Sequence, residues 1–210
     1  MSMKKLLNPP FRLIISGYSG SGKTTLLINI LKHYAGTFDN VFVFCPTYYY
    51  QPIWHTIALD QNKIFTEYTD KTLAEITSSI SKCSGSNLII FDDCGAEKIK
   101  HSNYKNPLDE LVFNCRHIGL GTSMIFTCQN LTQLSTSIRN NSEGVIIFET
   151  SNKYEKKMLY TNFGIGSEKD FAKLLNYCTR NEPHSFMFIN KQTHPFSYHK
   201  KFRKLIISNI

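Results

Sequence analysis

The sequence predicts an α/β domain in which helices flank a mostly parallel central sheet. Short apolar runs suited to buried strands alternate with longer segments that carry apolar residues at helical spacing. Parallel strands require crossover connections, so this alternation favours a parallel sheet. The chain has 210 residues, of which 41% are hydrophobic and 19% charged, and this composition suits one globular domain with a substantial core.

The elements follow one another regularly along the chain. Strands are predicted at residues 12–16, 41–44, 87–91, 123–127, 145–148 and 185–190. Helices are predicted at 23–34, 73–81 and 107–117, and from a capping box of Ser167 and Asp170 to about Cys178. We expect a single domain over 1–210, with an N-terminal extension at 1–10, a polar and mobile loop at 94–106, and a basic tail at 199–210.

Charge and cysteine content limit the class of protein. The formal net charge is +8 and the pI is about 9.1, which suits polyanionic partners but equally suits a solvated basic surface. The six cysteines contain no Cys-x-x-Cys pair, so we expect reduced and mostly buried thiols. Neither a signal peptide nor a membrane span is visible, and we expect a soluble protein of a reducing intracellular compartment.

A glycine-rich loop carries the first chemical signal. Residues 17–24 read Gly-Tyr-Ser-Gly-Ser-Gly-Lys-Thr between a predicted strand and a predicted helix, as in a P-loop nucleoside triphosphatase. The glycines let backbone N–H groups face a polyphosphate, Lys23 would reach the β and γ oxygens, and Thr24 would ligate Mg²⁺. The candidate nucleotide-binding residues are Gly17, Ser19, Gly20, Ser21, Gly22, Lys23, Thr24 and Thr25.

Two acids end the third predicted strand. Asp92 follows an apolar strand, at the position where P-loop enzymes hold Mg²⁺, and it is the candidate metal-side acid. Asp93 lies one residue further on and is the candidate base for the attacking water. The alternative is a pair of solvated acids at a strand end.

Three further polar residues are candidates for the catalytic set. Gln129 follows the fourth strand and would lie beside the phosphates if that strand sits between the first and third, although it would equally suit a cap for the next turn. Arg116 precedes this strand and Arg139 follows it. Either arginine would stabilise a transferring phosphoryl group, of its own subunit or of a neighbour, or would be an ordinary surface charge.

Two rival interpretations use the same chain. Asp92 and Gly95 fit the Asp-x-x-Gly of GTPase switches, and Asn152-Lys-Tyr-Glu155 is close to a guanine-reading Asn-Lys-x-Asp. This interpretation leaves Asp93, Arg116 and Gln129 without roles. A small nucleotide kinase is a third class, and only the Lys156-Lys157 pair and the basic tail favour it.

In this order, the motifs resemble those of viral genome-packaging ATPases of the FtsK/HerA group, found in large DNA viruses and virophages. The resemblance rests on the loop at 17–24, Phe91-Asp-Asp93, Arg116-His117, Phe126-Thr-Cys-Gln129 and Ile138-Arg-Asn140, and it covers roughly 11–150. The segment Phe44-Cys-Pro-Thr-Tyr48, followed by Trp54, is also similar. One departure is Asp93, where bacterial relatives usually carry Glu.

The resemblance implies a RecA-like core with strand order 5-1-4-3-2, assembled into a hexameric or pentameric ring. It implies ATP and Mg²⁺ as cofactors, hydrolysis coupled to movement of double-stranded DNA, and a capsid or portal component as partner. It implies no membrane partner and a location in the host cytoplasm or with the virion. It assigns the metal to Asp92 and Thr24, the base to Asp93, the sensor to Gln129, and the finger acting in trans to Arg116 before Arg139.

Basic segments are the candidates for contact with DNA phosphates. One set follows the second acid and consists of Lys98, Lys100, His101 and Lys105. The other set lies in the tail and consists of Lys200, Lys201, Arg203 and Lys204. Each set would equally serve as a solvated basic surface.

Overall fold

All six predicted strands are present in the computed structural model, which describes residues 6–94, 106–180 and 182–205. The strands are β1 (Arg12–Ser16), β2 (Asn40–Phe44), β3 (Ile64–Phe65), β4 (Asn87–Phe91), β5 (Thr122–Cys128), β6 (Gly144–Phe148), β7 (Phe186–Asn190), β8 (Ser197–Lys200) and β9 (Arg203–Lys204). The helices are α1 (Lys23–His33), α2 (Asp70–Ser81), α3 (Pro107–Asn114), α4 (Thr136–Asn141), α5 (Lys153–Phe163) and α6 (Glu168–Thr179).

The strands form one nine-stranded sheet in the order β3-β2-β4-β5-β1-β6-β7-β8-β9. Neighbouring strands from β3 to β6 are parallel, whereas β7, β8 and β9 join the sheet as antiparallel strands. When only the predicted strands are numbered, the first five of them follow the order 5-1-4-3-2 across the sheet. The predicted α/β fold and its strand order are therefore confirmed.

Helices cover both faces of the sheet because its central strands are apolar on both sides. On one face, α1 contributes Leu27 to a core that also contains Trp54. On the other face, α2 to α6 pack a second core that includes Leu111 of α3 and Leu159 of α5. The carboxyl ends of the parallel strands meet at one edge of this three-layered domain, and the predicted phosphate loop lies there.

Three aromatic residues fix the register of β2, β4 and β5. Phe44, Phe91 and Phe126 are paired across these strands, and their rings stack with centroids 5.2 and 4.9 Å apart. Because side chains alternate between faces along a strand, the next residue in each strand points to the α1 face. The stack therefore places Cys45, Asp92 and Thr127 together on that face.

A buried ion pair fixes the amino end of β1. The carboxylate of Glu143, the residue before β6, accepts hydrogen bonds from the backbone N–H, Nε and Nη2 of Arg12. Burial alone would raise the pKa of Glu143, but the hydrogen bonds and charge of Arg12, with a further bond from Arg116, lower it. Removing one partner of such a buried pair typically costs about 3–5 kcal/mol.

A second buried glutamate fixes the carboxyl end of β1. Glu155 of α5 is only 3% exposed. One of its oxygens accepts hydrogen bonds from Ser16 Oγ and from the backbone N–H of Leu131, both at 2.9 Å. The other accepts from Thr150 Oγ1 at 2.6 Å. Ser16 ends β1, while Leu131 and Thr150 follow β5 and β6. Glu155 therefore connects the carboxyl ends of these three strands next to the phosphate loop.

The basic tail differs from its prediction. Residues 199–204 belong to a β-hairpin at the sheet edge, in which Lys200 pairs with Arg203 across a two-residue turn. Lys201 in this turn has φ 54°, in the left-handed region that tight hairpins use. The buried side chain of Tyr198 anchors β8 to the core. The sequence analysis noted the charges of this segment and gave it no secondary structure, because a short edge hairpin leaves little periodicity in the sequence.

Cysteine burial and helix polarity agree with expectation in the part of the chain that the structure describes. None of the six described cysteines forms a disulfide; five are buried, and Cys83 is exposed. Every described helix is too short or too polar to cross a membrane. The interior of the predicted loop at 94–106, the first half of the predicted extension at 1–10 and the final residues 206–210 lie outside the described ranges.

We predict that Glu155→Ala destabilises the domain by about 1–3 kcal/mol, because it leaves the buried Leu131 N–H without an acceptor. Urea unfolding measures the free energy, and hydrogen exchange at the Leu131 amide measures the local effect. Glu149→Ala is the control, since Glu149 is an exposed neighbour paired with the equally accessible Arg180. Equal losses in the two variants, with unchanged exchange at Leu131, would contradict the role given to Glu155.

Candidate functional site: a phosphate loop at the carboxyl edge of the sheet

The phosphate loop leaves β1 and is held against the end of β5. The backbone N–H of Gly17 donates to the Cys128 carbonyl at 3.1 Å. Gly20 and Gly22 have φ of 82° and 102°, which L-residues with a side chain rarely adopt. A Cβ at Gly17 would come within 2.8 Å of Phe148 Cβ. The loop therefore takes its shape from glycines at these positions and lies directly on the sheet.

Lys23 bends back over the loop. Its side chain is largely buried, and Nζ donates to the carbonyl oxygens of Gly17 at 2.7 Å and Tyr18 at 3.1 Å. The ammonium group thus lies within the loop and is held by carbonyls of the loop itself. Phosphate oxygens are strong acceptors that can replace these carbonyls without a large movement of the side chain.

The start of α1 suits an anion. Within the described residues, no side chain caps its first turn and that turn contains no acid. Unpaired N–H groups and the helix dipole together favour a phosphate at such an end. Ser21 Oγ is also buried and has no hydrogen-bond partner among the described residues. The residues present therefore fit a bound polyphosphate.

The predicted metal ligands lie together. Thr24 Oγ1 is 3.5 Å from Asp92 Oδ2, so a hydroxyl and a carboxylate face each other beside the loop. Such hard oxygen donors suit Mg²⁺, which commonly keeps several water ligands and takes one or two from protein. The structure thus brings Thr24 and Asp92 into an arrangement that fits this cation.

Asp92 is fully buried at the end of β4. Burial raises the pKa of Asp92, while hydrogen bonds from Thr127 Oγ1 at 2.6 Å and Cys45 Sγ at 3.5 Å oppose that rise. A carboxylate in this position has lost most of its hydration and gains from any nearby cation. A bound cation would therefore stabilise the Asp92 carboxylate.

Thr127 connects the two predicted acids. Its hydroxyl donates to Asp92 and accepts from the backbone N–H of Asp93 at 2.9 Å. Asp93 itself is exposed and has φ 50°, so the chain turns sharply immediately after the metal-side acid. One acid is thus buried and the other faces solvent. Sequence reasoning singled out both acids but missed Thr127, because its role depends on the register between β4 and β5.

Gln129 lies at the same edge of the sheet. Its side chain is exposed, and its backbone N–H donates to Gln133 Oε1 at 2.9 Å. Asn130 and Gln133 form a capping box that closes this loop. Gln129 and Gly17 both line a cleft of about 270 Å³, so the structure places the predicted sensor beside the phosphate loop.

Arg116 lies at the opposite edge of the sheet. It follows α3 in a single 3₁₀ turn, Cys115–His117, and its Nη2 donates to Glu143 Oε1 at 2.8 Å. Its side chain is 59% exposed. Because Glu143 precedes β6, Arg116 lies at the amino ends of the parallel strands, away from the phosphate loop of its own chain.

Arg139 supports the loop that carries Gln129. Its Nη1 donates to the carbonyls of Leu134 and Leu131, and its Nη2 donates to Thr136 Oγ1 at 3.1 Å. Burial lowers the pKa of Arg139. The structure thus gives this guanidinium backbone partners within its own chain.

The residues of the guanine-reading alternative have other roles in the structure. Asn152 is the N-cap of α5 and accepts from the backbone N–H groups of Tyr154 and Glu155. The Glu155 carboxylate is buried, and its two oxygens already accept hydrogen bonds from Ser16, Leu131 and Thr150. Gly95, the last residue of the other GTPase motif, lies outside the described residues. The geometry therefore gives the pattern at 152–155 a structural explanation.

A histidine that sequence reasoning missed also touches the loop. His184 Nδ1 lies 2.9 Å from the Ser21 carbonyl oxygen, and the imidazole lies close to Gly22. His184 precedes β7, and the antiparallel pairing of β7 with β6 brings it to this edge. A lone histidine outside every motif carried no signal for this position.

Known proteins resemble this chain in sequence and in fold. The DNA packaging protein OPG160 of vaccinia virus (strain Copenhagen) is 31% identical over 188 residues. That alignment covers 83% of this chain and 66% of the relative, so the match spans just under two thirds of the relative's length.

The fold resembles the genome packaging NTPase B204 of Sulfolobus turreted icosahedral virus 2. Its complex with AMP has a TM-score of 0.68 at 15% identity, covering 92% of this chain and 98% of that one. Its complex with ATP-γS has a TM-score of 0.67 at 16% identity, with the same coverage. Residues 1–194 match the family described as Poxvirus A32 protein, and the resemblance predicted from the motifs is confirmed at family level. The chain belongs to the Poxvirus A32 protein family.

Proposed function

We propose that this protein is a Mg²⁺-dependent ATPase that moves double-stranded DNA during viral genome packaging. The observation that carries the proposal is the fully buried Asp92, 3.5 Å from Thr24 at the mouth of a glycine-rich phosphate loop. The vaccinia relative, named for DNA packaging, supports the process. The structural neighbour solved with ATP-γS supports the nucleotide.

The residues of the site divide the chemistry between them. Lys23 exchanges its loop carbonyls for phosphate oxygens, and the N–H groups at the start of α1 orient the polyphosphate. Bound Mg²⁺ supplies positive charge to the phosphate oxygens, and Thr24 and Asp92 would hold it. The exposed Asp93 carboxylate accepts a proton from the attacking water, while Gln129 orients that water.

Arg116 is proposed to act on a neighbouring subunit. It lies at the amino ends of the strands, and the seven-residue strand β5 separates it from the edge that carries Gln129. At about 3.3 Å per residue, that strand is roughly 23 Å long, which no arginine side chain spans. The guanidinium can therefore reach a phosphoryl group only in another copy, as in a ring. Arg139 is the weaker candidate because it binds its own loop.

The basic surface supports DNA as the substrate of movement. The net charge of +8 favours polyanions, although charge alone selects no particular one. Lys200 and Lys201 both pair with Glu182 and lower its pKa to about 2. Arg203 and Lys204 of β9 are exposed and are therefore the stronger candidates in the hairpin. The other candidates, Lys98, Lys100, His101 and Lys105, lie outside the described residues.

Lys23→Ala should abolish ATP hydrolysis with the fold intact, because the variant lacks the cation that contacts the phosphates. Hydrolysis of ATP and GTP is measured with and without double-stranded DNA, and wild type should prefer ATP and respond to DNA. Lys32→Ala, on the exposed end of the same helix, is the matched control. Normal turnover by Lys23→Ala would refute the assigned site, and preference for GTP without a DNA effect would favour a switch protein.

Asp93→Asn should bind ATP normally but hydrolyse it at least about a hundredfold more slowly, because the amide cannot accept the proton of water. Calorimetric titration with a non-hydrolysable ATP analogue and Mg²⁺ measures binding, and phosphate release measures turnover. A large loss of Mg²⁺-dependent binding would move Asp93 from the base to the metal.

Mixing Arg116→Ala with Lys23→Ala subunits should restore part of the ATPase activity that each variant lacks. In a mixed ring, a loop with Lys23 can lie beside a neighbour that retains Arg116. Glu143 keeps Arg12 as a partner, so the fold should survive loss of Arg116. Arg180→Ala in place of Arg116→Ala is the control and should be active unmixed. Rings shown by mass to be mixed but inactive would argue against a finger in trans.

A further inference from the structure

We infer that the ribose and base of the nucleotide bind in a cleft between the phosphate loop, the carboxyl end of β6 and the residues before β7. His184 and Tyr18 would contact them. We call this the nucleoside cleft, and its walls are Tyr18, Ser21, Phe148, Glu149, Glu182 and His184. The inference rests on the proposed function, because it extends the same site from the phosphates to the rest of the nucleotide.

The topology assigns opposite sides of β1 to the two ends of the nucleotide. Asp92 ends β4, which lies beyond β5 on one side of β1. On the other side, β7 runs antiparallel to β6 and pairs Phe186 with Phe148 at the carboxyl end of β6. His184 therefore reaches the same edge as the acids but with β1 between them. A triphosphate whose terminal group faces Asp92 directs its nucleoside toward His184.

Neighbouring side chains in the first turn of α1 also divide between the Asp92 side and the His184 side. Thr24 faces Asp92, whereas its neighbour Thr25 lines a cavity of about 260 Å³ together with Asn29, His184 and Phe186. This cavity and the nucleoside cleft, which has a volume of about 280 Å³, share Phe148 and His184 as lining residues. The space next to the start of α1 is thus open on the His184 side.

The third cavity beside the loop, the cleft of about 270 Å³ that contains Gln129 and Gly17, is a poorer fit for a nucleoside. It contains Gln129 and Glu155, and Glu155 belongs to α5, which packs on the face opposite α1. The phosphates lie at the start of α1, so the groups attached to them remain on the α1 face. That cavity belongs instead to the sensor side of the site.

The cleft offers the chemistry that a nucleoside needs. Phe148 gives the cleft an apolar wall, and its ring packs on that of Phe186 with centroids 5.5 Å apart. Tyr18 is 59% exposed and presents an aromatic ring to the same space, which suits stacking on a base. His184 has φ 54°, an unusual backbone conformation, and its ring is held by the Ser21 carbonyl. A fixed imidazole can hydrogen-bond a ribose hydroxyl or a base edge.

Inorganic triphosphate has phosphates but no nucleoside. Comparing its binding with that of ATP therefore distinguishes a contact to the nucleoside from support of the phosphate loop. His184→Ala should weaken ATP binding about tenfold, as the loss of one or two directed contacts would. Its affinity for inorganic triphosphate should change less than twofold. Lys23→Ala should lose both ligands, and His194→Ala, in the β7–β8 turn, should resemble wild type. Calorimetric titration with Mg²⁺ measures all four proteins.

Tyr18→Ala provides a second test that does not depend on His184, and the same split between ATP and inorganic triphosphate is expected. Equal losses of both ligands in His184→Ala would show that this histidine only shapes the loop and would overturn the inference. Unchanged ATP affinity in both variants would also overturn it. If wild type binds neither ligand, the proposed function fails as well, so the two failures are distinguishable.

Discussion

The position of β1 between β5 and β6 is the constraint on which the site depends. A buried glutamate fixes each end of this strand: Glu143 binds Arg12 at its first residue, and Glu155 binds Ser16 at its last. The phosphate loop begins one residue after Ser16, so any movement of this strand end would move the loop. Both glutamates are buried, where such interactions are stronger than at the surface and more costly to break.

The register of the neighbouring strands positions Asp92, the candidate metal ligand. The stacked rings of Phe44, Phe91 and Phe126 occupy one face, and the residue after each ring turns to the other face. A slip of β4 by one residue would move Asp92 into the aromatic face and would separate it from Thr127. Asp92 is thus positioned by the packing of the aromatic stack, and hydrogen bonds from Thr127 and Cys45 stabilise its carboxylate.

The sequence was sufficient for features that local patterns determine. Polyphosphate binding requires the spacing of the glycines and Lys23, which is visible in the sequence. The alternation of apolar strands with helices determines the class of fold. It was insufficient where partners meet only through tertiary pairing. Thr127 needs the β4–β5 register, Glu155 needs the packing of α5, and His184 needs the antiparallel β7. Asn152 supported the rival GTPase interpretation because an N-cap and a base-reading amide use the same residue type.

The two edges of the sheet differ in a way that bears on assembly. The carboxyl edge holds the phosphate loop, both acids and Gln129, while the amino edge presents the exposed guanidinium of Arg116. Glu143 accepts several hydrogen bonds from Arg12 and one from Arg116, so Arg116 can leave without stranding the buried carboxylate. Under the proposed action in trans, Arg116 would exchange Glu143 for an anion on a neighbour. The buried Arg12 stays with Glu143, so the fold would be preserved while the exposed arginine moved.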